Sequence, residues 1–184
     1  MNTFTTSSIL EDTHKLLVAK DSGCSSRAVF LDISKAFDKV IHSALLFKLS
    51  QLGVTGSVYN LLQSYLSGRS QLVRLGDVRS EHLHTNCGVP QGSVIGPLLF
   101  LVCVNDIGTN IKSSISLFAD DTVLLCSSKN PSALHATLSN DLRQLEMWSD
   151  LWSVTFNVAK NEILTITNNP SLHISTTILQ PRTN

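Results

Sequence analysis

The stretch Phe118-Ala119-Asp120-Asp121-Thr122 constrains the fold of this chain more than any other. A largely apolar run, Ile115 to Ala119, precedes the acidic pair, and Val123 to Cys126 follows it. Runs this short, bounded by polar residues, predict two strands with Asp120-Asp121 at the tight turn between them. Adjacent carboxylates at a strand tip repel each other, which costs stability unless a cation sits between them. Neighbouring strand residues point to opposite faces, so the turn must swing the second carboxylate round if both are to serve one site. Asp is also a favoured turn residue, and the same residues would make a plain solvated hairpin.

Composition bounds the rest. With 42% apolar and 15% charged residues, the 184-residue chain is globular rather than disordered, and its length suits one domain around one core. Fourteen basic residues balance fourteen acidic ones. A self-sufficient nucleic-acid binder is usually basic, so neutrality argues against one, though not against a catalytic piece of one. Cys24, Cys87, Cys103 and Cys126 are unevenly spaced with no Cys-x-x-Cys, which suggests neither a zinc site nor a disulfide framework. Three of them lie in apolar surroundings and read as core thiols, in keeping with a reducing compartment. His82 and His84 alternate as two ligands on one strand face would, but with no third ligand in view a solvated or satisfied pair is favoured. Nothing at the N-terminus looks like a signal peptide, and the longest apolar run, Val94 to Val104, is short of the about 20 residues that span a bilayer. The expected location is intracellular, in cytoplasm or nucleus, without a membrane partner.

Taken in order, Met1 to Ser26 is polar with one weakly periodic patch, Ile9 with Leu16 to Val18, consistent with a helix. Ala28 to Leu31 is a continuous apolar run, as expected of a central strand buried on both faces. It ends at Asp32, where a carboxylate emerging from a buried strand suits a metal ligand or caps the following turn. His42 to Leu52 and Gly56 to Ser67 have helical periods, closed by Gly53 and Gly68; Val58, Leu61, Leu62, Tyr65 and Leu66 form the predicted buried side of the second. Gln71 to Leu75 and His82 to Asn86 read as a strand pair around Gly76-Asp77. On it Arg74, with Arg69 just before, could meet phosphates, though a solvated face is the better reading. Gly88 to Ser93 is a glycine-rich loop whose backbone can approach a ligand, or a plain turn before the next helix. That helix, Gly96 to Val104, is apolar all round and is expected to be buried. Leu134, Leu138, Leu142, Leu145 and Trp148 give Pro131 to Trp152 an amphipathic helical period, with Asn130 and Pro131 as N-cap and first residue. Val154 to Asn157 is a short strand or turn, and Ile163 to Thr167 a strand. Strands and helices mix without strict alternation, which predicts an α+β layer of helices on a mostly antiparallel sheet.

Four of these segments together resemble the reverse transcriptases of non-LTR, LINE-type or jockey-like retrotransposons. Phe30 to Asp38 is similar to the family's first palm motif. Gly88 to Ser93 with Gly96 to Phe100 is similar to the second, Phe118 to Thr122 to the third, and Asn157 to Lys160 to the fourth. The motifs stand in the family's order, over roughly Ala28 to Leu164. The resemblance implies a polymerase palm, an antiparallel sheet with helices on one face in a split βαβ, ferredoxin-like arrangement. It divides the chain into a remnant before the palm at 1–27, the palm at 28–167, and a poorly ordered tail at 168–184.

The resemblance further implies two-metal nucleotidyl transfer from a deoxynucleoside triphosphate to a primer 3′ end, copying an RNA template. Asp32, Asp120 and Asp121 would hold two Mg²⁺ ions, with Mn²⁺ a substitute, and Ile33 would lend its backbone carbonyl. Phe37 matches the aromatic that excludes a ribose 2′-hydroxyl, and Gln91 and Gly92 the loop over nucleotide and template. Lys160 matches a lysine near the leaving pyrophosphate, a proton donor. Asp38 belongs to the motif without binding metal. Asn161 stands where the family has a small Ser, Thr or Cys. The basic fingers, the thumb and the endonuclease of the family are largely absent from the sequence, in keeping with zero net charge, and exposed palm surface predicts poor solubility or self-association. The alternative is a truncated, inactive retrotransposon relic that folds but at most binds metal or a partner.

Overall fold

The computed structural model describes residues 2–167, giving the backbone alone for 2–9; the tail from Asn168, expected to be poorly ordered, lies outside the described residues. The elements in chain order are α1 (Asn2–Asp21), β1 (Ser25–Asp32), α2 (His42–Gln51), α3 (Gly56–Leu66), β2 (Ser70–Gln71), β3 (Arg74–Leu75), β4 (Val78–Arg79), β5 (Leu83–His84), α4 (Gly96–Val104), β6 (Ser114–Phe118), β7 (Asp121–Ser128), α5 (Pro131–Trp152) and β8 (Glu162–Ile166). They fall into two compact units. The first takes 2–34, 107–151 and 155–167, and the second 35–106 with 152–154. The range expected for the palm, 28–167, contributes to both.

The first unit is built on a four-stranded sheet in the order β6-β7-β1-β8, antiparallel throughout. The apolar run in β1 earns its central place: Ala28, Val29 and Leu31 are buried between β7 and β8, while Phe30 on the same strand is exposed. Register sets Val29 opposite Leu124 and Phe30 opposite Val123. A one-residue slip would turn every side chain to the wrong face, so this apolar pattern fixes the pairing. Helix α1 packs on β1 and β7, and Lys15 Nζ reaches Ser114 Oγ at 2.9 Å. Helix α5 starts as the sequence predicts, with Asn130 Oδ1 accepting from the Ser132 N–H at 2.9 Å. Leu134, Leu138, Leu145 and Trp148 are its buried stripe, and Leu142 is half-buried. A polar residue interrupts that stripe. Asp141 is fully buried and accepts from Lys112 N (3.1 Å), Ser113 N (2.8 Å) and Ser113 Oγ (2.6 Å), which fastens the start of β6 to α5.

The second unit packs α2 against α3 and α4. Its buried cation is Lys48, whose Nζ donates to the Cys103 carbonyl and to Asp106 Oδ1 and lies 3.8 Å from the centre of the Trp152 ring. Two expectations are corrected here. On α3 only Leu66 is buried, and Val58 and Leu61 are exposed. On α4 Leu99, Phe100, Cys103 and Val104 are buried, but Leu98 and Leu101 are exposed. An apolar helix can be buried all round only if elements cover every side, and α4 has apolar residues on more sides than are covered. The predicted strand pair forms as two short ladders, β2 with β5 and β3 with β4, every strand residue exposed. Two thiols rather than three are sealed, Cys126 in the first unit and Cys103 in the second; Cys24 is half-buried and Cys87 exposed. Burial pushes the Cys103 thiol up. Among the described residues no helix is long and apolar enough to cross a membrane.

Candidate active site

Pairing of β6 with β7 runs to Phe118 opposite Asp121, which leaves Ala119 and Asp120 as a two-residue turn. Ala119 takes φ +53, a left-handed value unusual for a residue with a Cβ. Asp121 opens β7 directly opposite Asp32, the last residue of β1. Residues so placed have Cβ atoms about 5 Å apart, so both carboxylates leave the sheet on one face. The turn is tied to the chain leaving β1, because Ile33 N–H donates to the Asp120 carbonyl at 3.1 Å. Ile33 also bridges to Phe156, with Asn157 N–H on the Asp32 carbonyl and Ser34 N–H on the Thr155 carbonyl, each 2.8 Å. A 3₁₀ turn, Val158–Lys160, follows, with the Ala159 N–H donating to Asn157 Oδ1 at 3.2 Å. This run of bonds carries Lys160 to the strand end, where its Nζ sits 2.9 Å from Asp32 Oδ1.

Burial raises the Asp121 carboxyl above the ordinary carboxylate range, and the neighbouring charges of Asp120 and Asp32 raise it further, while Lys160 opposes them. The hydrogen bond to Asp32 raises the Lys160 ammonium, and the charges of Asp32, Asp120 and Asp121 add to the effect. A cavity of about 420 Å³ adjoins these groups, lined among others by Asp32, Asp121, Lys160, Phe30 and Phe118. Asp12 of α1 and Glu162 of β8 line it too, neither named by sequence reasoning. Glu162 has a signal in hindsight, since its register opposite Phe30 places it on the Asp32 face.

Among the described residues no group of three His, Cys, Asp or Glu side chains forms a ready metal cage. Asp32, Asp120 and Asp121 share one strand end, but Asp32 is held by Lys160. The donor chemistry nevertheless fits a hard divalent ion. The carboxylates offer oxygen, and Mg²⁺ takes one or two carboxylates while water and phosphate oxygens fill its other positions.

Phe37, Gln91 and Gly92 belong to the second unit. The Phe37 ring is half-buried and lies 4.8 Å from that of Phe100. Gln91 Nε2 donates to Asp38 Oδ1 at 2.7 Å. Gly88 N–H and Val89 N–H donate to the carbonyls of Val40 and Phe37, each at 2.8 Å. A Cβ on Gly88 would sit 3.0 Å from the Asp38 carbonyl oxygen, so only glycine allows this approach. The end of the first motif and the loop of the second are thus knitted together by their backbones. The Asp38–Gln91 bond escaped sequence reasoning, which placed both residues in motifs but not beside each other.

Comparison with known proteins agrees with the motifs. The family model for reverse transcriptase (RNA-dependent DNA polymerase) matches residues 2–178. The chain is 34% identical over 147 residues to the RNA-directed DNA polymerase from mobile element jockey of Drosophila melanogaster, covering 76% of this chain and 16% of that protein. It is 34% identical over 165 residues to the probable RNA-directed DNA polymerase from transposon BS of the same species, covering 83% of this chain and 18% of that one. The chain therefore spans less than a fifth of these relatives. In fold it is similar to apo telomerase from Candida tropicalis truncated from its C-terminal domain, with a TM-score of 0.64 at 11% identity, covering 96% of this chain and 37% of that one. The chain belongs to the reverse transcriptase (RNA-dependent DNA polymerase) family, and its relatives are those of jockey-like, non-LTR mobile elements.

Proposed function

We propose that this chain is the carboxylate-bearing part of an RNA-directed DNA polymerase that extends a DNA primer on an RNA template. The observation that carries this is the placement of Asp32 opposite Asp121, with Asp120 in the adjoining turn and Lys160 on Asp32. In the reaction the primer 3′-hydroxyl oxygen bonds to the α-phosphorus of a deoxynucleoside triphosphate. The bond from that phosphorus to the bridging oxygen breaks, pyrophosphate leaves, and the hydroxyl proton passes to solvent water. Mg²⁺ ions, or Mn²⁺ in their place, held by Asp32, Asp120 and Asp121 with the Ile33 carbonyl, would supply charge stabilisation to the attacking and leaving oxygens. Lys160, an ammonium already beside Asp32, would give its proton to the departing pyrophosphate. Phe37 would bar a ribose 2′-hydroxyl, and Gln91 and Gly92 would cover nucleotide and template. Such work belongs inside the cell, in cytoplasm or nucleus.

The alternative is a folded relic without catalysis that at most binds metal or a partner. Primer extension on an RNA template with Mg²⁺ and deoxynucleotides, beside an Asp120→Asn control, separates the two. Incorporation that disappears in the control supports the polymerase. Folded protein that incorporates nothing supports the relic.

A further inference from the structure

The hairpin between α3 and the Gly88 loop carries more charge than its own stability explains. Strands β3 and β4 have two residues each, and their apolar members Leu75 and Val78 are 82% and 73% exposed, so the ladder gains little from burial. A two-stranded hairpin of this kind is marginal by itself. Arg74 and Arg79 nevertheless stand directly opposite each other across it. Like charges in that position destabilise a ladder. Arg74 Nε donates to the Gly76 carbonyl at 2.9 Å, in a turn where Gly76 takes φ +60, which fixes where its guanidinium points. Asp77 and Glu81 lie on the same hairpin, yet among the described residues neither pairs with Arg74 or Arg79. At the base Arg69 lies 5.3 Å from the centre of the Tyr65 ring.

Two arginines in facing register, neither paired with a carboxylate among the described residues, offer two guanidinium forks to a doubly accepting anion. A phosphodiester oxygen pair matches the planar fork of arginine and would turn the cross-strand repulsion into attraction. Residues 69–84 carry Arg69, Arg74 and Arg79 against Asp77 and Glu81, so a chain that is neutral as a whole has a small local positive balance here to draw a polyanion. We infer that Arg74 and Arg79, with Arg69 at the hairpin base, bind the phosphate backbone of a nucleic-acid strand. The inference takes its class of partner from the polymerase reading and rests on no catalytic residue. The contact reads charge and spacing and leaves base identity unread.

The test is fluorescence anisotropy of a labelled single-stranded RNA of mixed sequence, about 20 nucleotides long, titrated with the full chain over a series of KCl concentrations. The unaltered chain is compared with the double variant Arg74→Gln/Arg79→Gln and the charge-keeping Arg74→Lys/Arg79→Lys. The glutamine pair should bind about tenfold more weakly at low salt, and the slope of log affinity against log salt should shallow by about 1.4, the value for two single-strand phosphates. The lysine pair should keep the slope at reduced affinity. Should the glutamine pair unfold, Arg79→Gln alone carries the test with a slope change of about 0.7, since its guanidinium has no partner among the described residues. Unchanged slope and affinity in the glutamine variants would overturn the inference. So would competition by poly-glutamate as strong as that by unlabelled RNA, because the site would then be one for an acidic peptide. The anisotropy readout needs no nucleotide incorporation, so the polymerase reading can fail in primer extension with this inference intact.

Discussion

Lys160 Nζ lies 2.9 Å from Asp32 Oδ1, so the carboxylate that ends β1 already carries a cation belonging to the chain itself. A divalent ion seeking Asp32 competes with that ammonium. Lys160→Met should therefore tighten Mn²⁺ binding by about fivefold, the range of a single exposed ion pair. The readout is the rise in Tm at fixed Mn²⁺, larger in the variant than in the unaltered chain. An equal or smaller rise would show that Lys160 does not contest the site. If Lys160 also donates the proton, the same variant loses turnover while binding the metal better.

Asp121 predicts a pH dependence. Its carboxyl is raised in the folded chain by burial and by Asp120 and Asp32, so folding disfavours its ionised form. The folded state holds the proton at a pH where the unfolded state has released it, and stability falls as pH rises through this window. In metal-free buffer Asp121→Asn should raise Tm at pH 7. The gain should shrink as pH drops and vanish below the ordinary carboxylate range, where Asp121 is protonated in both states. A gain independent of pH would place its cause elsewhere than in charge.

Ala119 holds the turn beside Asp120 at φ +53. Ala119→Gly removes the Cβ strain and adds freedom to the unfolded chain, for a net stabilisation of about 0.5 kcal/mol in urea unfolding. The same freedom loosens Asp120, so any polymerase activity should fall as stability rises. A loss of stability would mean that the Ala119 methyl has packing worth more than its strain.

Asp141 is buried among three hydrogen-bond donors. Asp141→Asn replaces an accepting oxygen with an N–H₂ and leaves at least one buried donor unsatisfied. Urea unfolding should show a loss of about 2 kcal/mol. Asp141→Leu, nearer in shape but with no acceptor, should lose more, and parity with the unaltered chain in either variant would contradict the anchoring role.

Several elements could be read from residues because their signals are local. The apolar runs of β1, β6 and β7, the period of α5 and its Asn130-Pro131 start depend on neighbours in sequence, and the structure has them there. The closeness of Asp32, the acidic pair and Lys160 came from the order of the motifs, since their spacing in sequence is wide. Other features escaped because they are set by distant partners. Asp141 looks like a polar intruder in a helix stripe until Ser113 is beside it. Exposure of Leu98 on α4 and Leu61 on α3 depends on which side of each helix is covered, which composition does not encode. Arg74 and Arg79 become a pair only once Gly76-Asp77 closes the hairpin between them.

The four cysteines give the chain its own clock. Cys126 is sealed in the first unit and Cys103 in the second, while Cys87 is open to reagent. Alkylation with a thiol reagent in rising urea, followed by peptide mass spectrometry, would time the opening of each unit separately. If Cys126 and Cys103 react at the same denaturant concentration, the two units melt as one cooperative body; if one reacts first, the chain passes through a half-unfolded state that a single melting curve would blur.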